Sequence, residues 1–139
     1  MSADRVVTIA RRWLGTPYRH RAATRGAGCD CLGLLRGVWR ELYGSEPLVV
    51  PPYRVDLRDT EHAGLLQEAA ETLLDPADHQ PRAGDVVLFQ LRRAGVARHC
   101  GILVGTDRFI HAQERLGVIE ANLGGGWGRR IHRRYSFPS

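Results

Sequence analysis

The spacing of the hydrophobic residues changes part-way along this chain, and that change restricts its fold more than any other feature. As far as Leu74 the apolar residues recur every three or four positions; from Val86 they come in short, dense runs between turn residues. Val6, Ile9, Ala10, Trp13 and Leu14 mark a helix over 3–14, ended by Gly15-Thr16-Pro17. Cys31, Leu34, Leu35, Val38 and Leu42 mark a second over 31–43, with Gly44 as its stop. Leu65, Leu66, Ala69, Leu73 and Leu74 mark a third within 60–74, halted by Asp75-Pro76. The remainder predicts strands over 86–91, 99–104, 108–112, 117–120 and 131–137, two of them joined as a hairpin through Gly105-Thr106-Asp107. Segment 19–28 reads as a polar loop and 45–58, with its three prolines, as a surface crossing. Helices followed by antiparallel strands give an α+β class, N-terminal helices packed on an antiparallel sheet, and 139 residues suit one domain spanning 1–139.

Composition removes several functions. No apolar run approaches the length of a membrane span, and Asp4, Arg5, Arg11 and Arg12 interrupt the first fifteen residues. Neither a span nor a signal peptide is expected, and synthesis in the cytoplasm follows. All twenty basic residues are arginine and the net charge is +5, which suits an anionic partner. With no nucleic-acid-binding motif present, nucleic acid is not an expected partner. The run Arg129 to Arg134 reads as a solvated edge strand. Trp127, among glycines, reads either as core packing or as a residue beside a cleft.

Three cysteines, Cys29, Cys31 and Cys100, cannot all pair with one another, so a reduced state is the simpler reading. Zinc on Cys29, Cys31, His99 and Cys100 is disfavoured: Cys-x-Cys is not the usual ligand spacing, and strand neighbours His99 and Cys100 should face opposite ways. No metal and no cofactor are expected.

The stretch Gly28-Cys29-Asp30-Cys31-Leu32-Gly33-Leu34 places a thiol where a loop becomes a helix. With Asp30 as N-cap, Cys31 occupies the first helical position, where unpaired backbone N–H groups and the positive end of the helix dipole favour a thiolate. Plain packing of Cys31 is the alternative. The predicted hairpin sets Gly101 opposite His111 and makes His99 the diagonal neighbour on the same face, roughly 7 to 8 Å away at the backbone. A slip of one residue would separate the two imidazoles. A thiol with two imidazoles suits nucleophilic catalysis: Cys31 attacks, His99 moves its proton and His111 orients His99. Because two adjacent imidazoles disfavour double protonation, activity should fall in acid.

Four blocks, Leu14-Gly15-Thr16-Pro17-Tyr18, Gly28 to Leu34, His99-Cys100-Gly101-Ile102-Leu103-Val104-Gly105 and Phe109-Ile110-His111-Ala112, resemble in sequence and order the NlpC/P60 family of cysteine peptidases, from residue 3 to about 120. The resemblance implies a papain-like core, with Cys31 as nucleophile, His99 as base, His111 as third polar residue and Tyr18 beside the nucleophile as an oxyanion or substrate contact. It implies hydrolysis of peptide bonds in the stem peptide of bacterial peptidoglycan. Leu32 stands where the family commonly has a small serine, and Cys29 is an extra thiol. Cys29 to Leu42 further resembles the phage and gene-transfer-agent branch, which implies a place in a phage-tail-like particle, among its proteins, and action in the cell wall during DNA delivery. Acyl transfer or thioester hydrolysis on the same fold, or a catalytically silent tail or adaptor module, are the alternative functions.

Overall fold

The computed structural model describes residues 2–47, 64–90 and 97–139. Most of the expected surface crossing at 45–58, the start of the third helix at 60–63 and the strand end at residue 91 lie outside them. Among the described residues three α-helices form as the periodicity requires: α1 (Ala3–Arg12), α2 (Cys31–Tyr43) and α3 (Leu65–Leu73). Helix α1 stops earlier than expected, because the N–H of Trp13 turns back to the carbonyls of Ala10 and Arg11. Leu14, assigned to the buried face, is therefore exposed, while Trp13 is buried and its indole N–H donates to Glu41 on α2 at 3.0 Å. Helix α2 has the boundaries expected of it, and Gly44 ends it in a left-handed conformation, φ 90°, that an L side chain rarely adopts.

The strands are β1 (Ala23–Thr24), β2 (Gly28–Cys29), β3 (Asp75–Pro76), β4 (Val86–Phe89), β5 (His99–Leu103), β6 (Arg108–Gln113), β7 (Gly117–Asn122) and β8 (Ile131–Ser136). The segment read as a polar loop thus folds into the small β1–β2 hairpin, pairing Ala23 with Cys29 and Thr24 with Gly28. The other six strands form one antiparallel sheet in the order β3-β8-β4-β5-β6-β7. The run read as a solvated edge is exposed at Arg129, Arg130 and Arg133, but β8 itself is not the last strand of the sheet and Arg134 is not solvated. Strand β8 pairs with β4 on one side and at Tyr135 and Ser136 with β3 on the other. Arg133 is exposed, but Arg134 lies 2.9 Å from the carboxylate of buried Asp85, which His79 also meets at 3.0 Å.

Alternation along the strands sorts side chains onto two faces. Val86, Leu88, Cys100, Ile102, Ile110 and Ala112 join the helices in the main core. Val87, Phe89, Leu103 and Phe109 form a second cluster with Leu123, Trp127 and Ile131. Leu34 and Val38 on α2 are fully buried in the first, each contributing about 1.5–3 kcal/mol by the usual burial scale. That anchorage fixes α2 against the sheet, and with it the position of Cys31.

Candidate active site

Asp30 is extended, and one carboxylate oxygen accepts the backbone N–H of Gly33 at 2.7 Å while the other accepts that of Arg21 at 2.7 Å. The first bond is the N-cap the sequence predicts; the second ties the β1–β2 hairpin to the start of α2. Cys31 is therefore the first helical residue, its backbone N–H without an intrahelical acceptor.

The Cys31 thiol is held well below the range of a free cysteine. A hydrogen bond from the Cys100 thiol does most to lower it; burial opposes this, and a hydrogen bond from His99 together with its charge lowers it further. The charge of Asp30 pushes the other way. Cys100 sits with its sulfur 3.2 Å from the Cys31 carbonyl oxygen, and burial keeps its own thiol protonated. Cys29, fully buried, is pushed up to about 12 by burial and by the charges of Asp30 and Cys31. The two cysteines flanking Asp30 thus differ widely in acidity, the thiolate form being favoured at Cys31 and disfavoured at Cys29.

Strand β5 pairs Ile102 with Ile110 and Leu103 with Phe109, around the turn expected at 105–107, so Gly101 faces His111. A methyl group at Gly101 would lie 3.3 Å from the His111 Cβ and 2.9 Å from the Ile110 carbonyl oxygen. The bare glycine lets the diagonal rings meet: His99 Nε2 lies 2.7 Å from His111 Nδ1, the ring planes 83° apart. That bond leaves His99 Nδ1 for the thiol. His111 is fully buried and stays neutral, pulled down to about 3 by burial and then by the charge of His99. The expectation that His99 and Cys100 face opposite sides of β5 is met, since one joins the Phe89 and Trp127 rings and the other the helix layer, and both reach Cys31.

Tyr18 is half-buried, and its backbone bridges to Cys29 beside the thiol. Burial first, and the charge of Cys31 second, keep its phenol protonated far into the alkaline range. Trp127, left between two roles by the sequence, lies 5.2 Å from His99 and 5.0 Å from His111, ring centroid to ring centroid. Among the described residues no three His, Cys, Asp or Glu side chains are grouped so as to hold a metal ion. A thiolate, a proton-carrying imidazole and a neutral orienting imidazole can together carry out acyl transfer through a covalent thioester.

The model for the NlpC/P60 family matches residues 15–135. The chain belongs to the NlpC/P60 family. Among its relatives, the murein DD-endopeptidase MepS/murein LD-carboxypeptidase of Escherichia coli K12 is 32% identical over 120 residues, covering 86% of this chain and 54% of that protein. The gamma-DL-glutamyl hydrolase of Bacillus subtilis 168 is 32% identical over 107 residues, 77% of this chain and 22% of that protein. The chain thus spans about half the length of the first relative and less of the second. The NlpC/P60 fold is equally plain: the NlpC/p60 domain of the peptidoglycan hydrolase SagA superposes with a TM-score of 0.66 at 22% identity, covering 99% of this chain and 100% of that one. An NlpC/P60 protein from Bacillus cereus ATCC 10987 superposes with a TM-score of 0.70 at 19% identity, over 99% of this chain and 40% of that one.

Proposed function

We propose that this chain is a cysteine peptidase that cleaves peptide bonds in the stem peptides of bacterial peptidoglycan. The observation that carries the reading is the 2.7 Å His99–His111 bond beside a thiol acidified at the start of α2. Once the Cys31 proton has passed to His99, the sulfur is an anion and the imidazole carries the charge. The sulfur attacks the peptide carbonyl carbon, and the carbonyl oxygen becomes an oxyanion facing the Cys31 backbone N–H and the protonated Tyr18 hydroxyl. His99 gives its Nδ1 proton to the leaving amine as the C–N bond breaks, leaving a thioester. Water then attacks the thioester, His99 takes one of its protons, and the acid product leaves with the sulfur again an anion. His111, neutral throughout, accepts from His99 Nε2 whenever His99 is charged, which keeps the Nδ1 edge turned to the sulfur. The murein endopeptidase and peptidoglycan hydrolase names carried by relatives support the substrate class.

Purified peptidoglycan of several stem chemistries, incubated with the chain and with a Cys31→Ala variant, tests this. New free amino groups released only by the unaltered chain are expected; with no lysine in the sequence, the protein adds little amine background. No release from any wall type would overturn the reading. We further propose that a phage-tail-like particle carries the enzyme to the wall, on the strength of the branch resemblance in Cys29 to Leu42. Mass spectrometry of purified particles tests it, and particles lacking the chain would refute it.

A further inference from the structure

The hydrogen-bond partner of His99 is a neutral ring, so it offers no charge against the one His99 gains on taking the Cys31 proton. An aromatic face offers such compensation. The Trp127 ring lies 5.2 Å from His99 with 32° between the planes, nearer to stacking than to edge contact, and inside the distance of about 6 Å at which a cation is attracted to an aromatic face. It meets His111 nearly edge-on, at 5.0 Å and 73°. Two wholly buried rings hold it there, Phe89 at 5.0 Å and Phe109 at 5.6 Å. The loop that carries it is tied down at both ends: Leu123 N–H donates to Asp107 in the hairpin turn, and Gly128 N–H to Leu123. Tryptophan has the strongest cation-attracting face of the aromatic side chains.

We propose that Trp127 is a positioning residue for His99: its indole face lies along the imidazole, favours the charged form paired with the Cys31 thiolate, and closes the two-histidine pair against water. The inference rests on the reading of Cys31 and His99 as the reacting pair, but not on the identity of the substrate. Among the described residues, the titratable or charged groups that face or flank His99 are Cys31 at the start of α2 with Asp30 behind it, Arg98 and Cys100 on either side of it along the chain and His111 in β6; substitution at Trp127 changes none of them.

The test measures the rate at which iodoacetamide alkylates Cys31 at pH 6, which needs no peptidoglycan and so stands even if the wall is not the substrate. Trp127→Leu is expected to slow alkylation at pH 6, and kcat with it, by up to roughly 4-fold with KM nearly unchanged, and Trp127→Phe to restore most of the loss. If the leucine variant does not fold, growth on fluorinated tryptophans weakens the indole face with little change of shape. Alkylation should then fall stepwise with each added fluorine; Trp13 and Trp39 are replaced too, but their rings lie in other contacts. Unchanged alkylation in the leucine variant or across the fluorinated series would overturn the proposal. So would equal losses in the leucine and phenylalanine variants that track their melting temperatures, or a rise in KM alone, which would make Trp127 a substrate contact.

Discussion

Adding one methyl group at Gly101 should uncouple the two histidines. Its carbon would lie 2.8 Å from a Phe109 ring carbon, 2.9 Å from the Ile110 carbonyl oxygen and 3.3 Å from the His111 Cβ. Directly opposed Cβ atoms in antiparallel strands ordinarily sit about 4.5–5.5 Å apart, so β5 and β6 must separate locally by roughly 1 Å. Overpacking of this kind costs about 1–3 kcal/mol, which for a chain of this size lowers the melting temperature by roughly 3–10 °C. The same displacement takes His99 Nε2 and His111 Nδ1 from 2.7 Å to beyond hydrogen-bonding distance. A misplacement of about 1 Å in catalytic geometry can cost about 10²-fold in rate. Amine release from peptidoglycan by Gly101→Ala, measured well below its melting temperature, should fall by about that factor. Gly105→Ala in the adjacent turn is the control, because among the described residues a methyl there meets Asp107 alone, at 3.9 Å. A Gly101→Ala chain with native activity and an unmoved melting temperature would refute the claim that close strand approach sets the pair.

Asp30→Ala removes the acceptor of two short backbone bonds and should cost about 2–4 kcal/mol in urea unfolding; Asp30→Asn keeps one acceptor oxygen but turns an amide N–H on the other donor, so it should recover only part of the loss, and an unchanged unfolding free energy in Asp30→Ala would show that the cap is not what matters. His111 refuses a proton in the folded state until about pH 3, whereas an unfolded histidine accepts one near 6.5. Its stabilising contribution is complete above about 6.5 and is lost as pH falls toward 3, with a slope of at most about 1.4 kcal/mol per pH unit. Unfolding free energies of His111→Gln should show a flatter acid slope, and an identical slope would contradict this origin. At pH 6, mass spectrometry after brief iodoacetamide treatment should find Cys31 alkylated and Cys29 untouched, since burial holds Cys29 at about 12. Cys100→Ala should slow that alkylation by removing the hydrogen bond that most acidifies Cys31, and label appearing first on Cys29 would reverse the assignment.

Local chemistry made much of this fold legible. Asp30 caps α2 because a short carboxylate one residue before an apolar helical face has few other places to go, and a three-residue turn with alternating neighbours fixes the register that joins His99 to His111. What escaped the sequence depends on partners distant along the chain. The β1–β2 hairpin has two-residue strands, too short for a periodic signal, and Asp30 helps secure it through the Arg21 N–H. Arg134 looks solvated among its neighbours until β4 brings Asp85 beneath it. Cys100 entered only as a possible metal ligand. Strand parity with Ile102 already turned it toward the helices, but no local pattern says that the start of α2 lies there. Trp127 likewise reaches His99 from beyond β7, with only the surrounding glycines to mark it.

The sulfur and the two rings belong to stretches of chain nearly seventy residues apart, so their meeting depends on long-range packing and not on either stretch alone. The chain can therefore hold every reactive group without holding a reactive centre. The thiol and the two imidazoles share one place only while helix α2 stays docked on strands β5 and β6, so any opening that lifts the helix from the sheet dismantles the whole constellation at once.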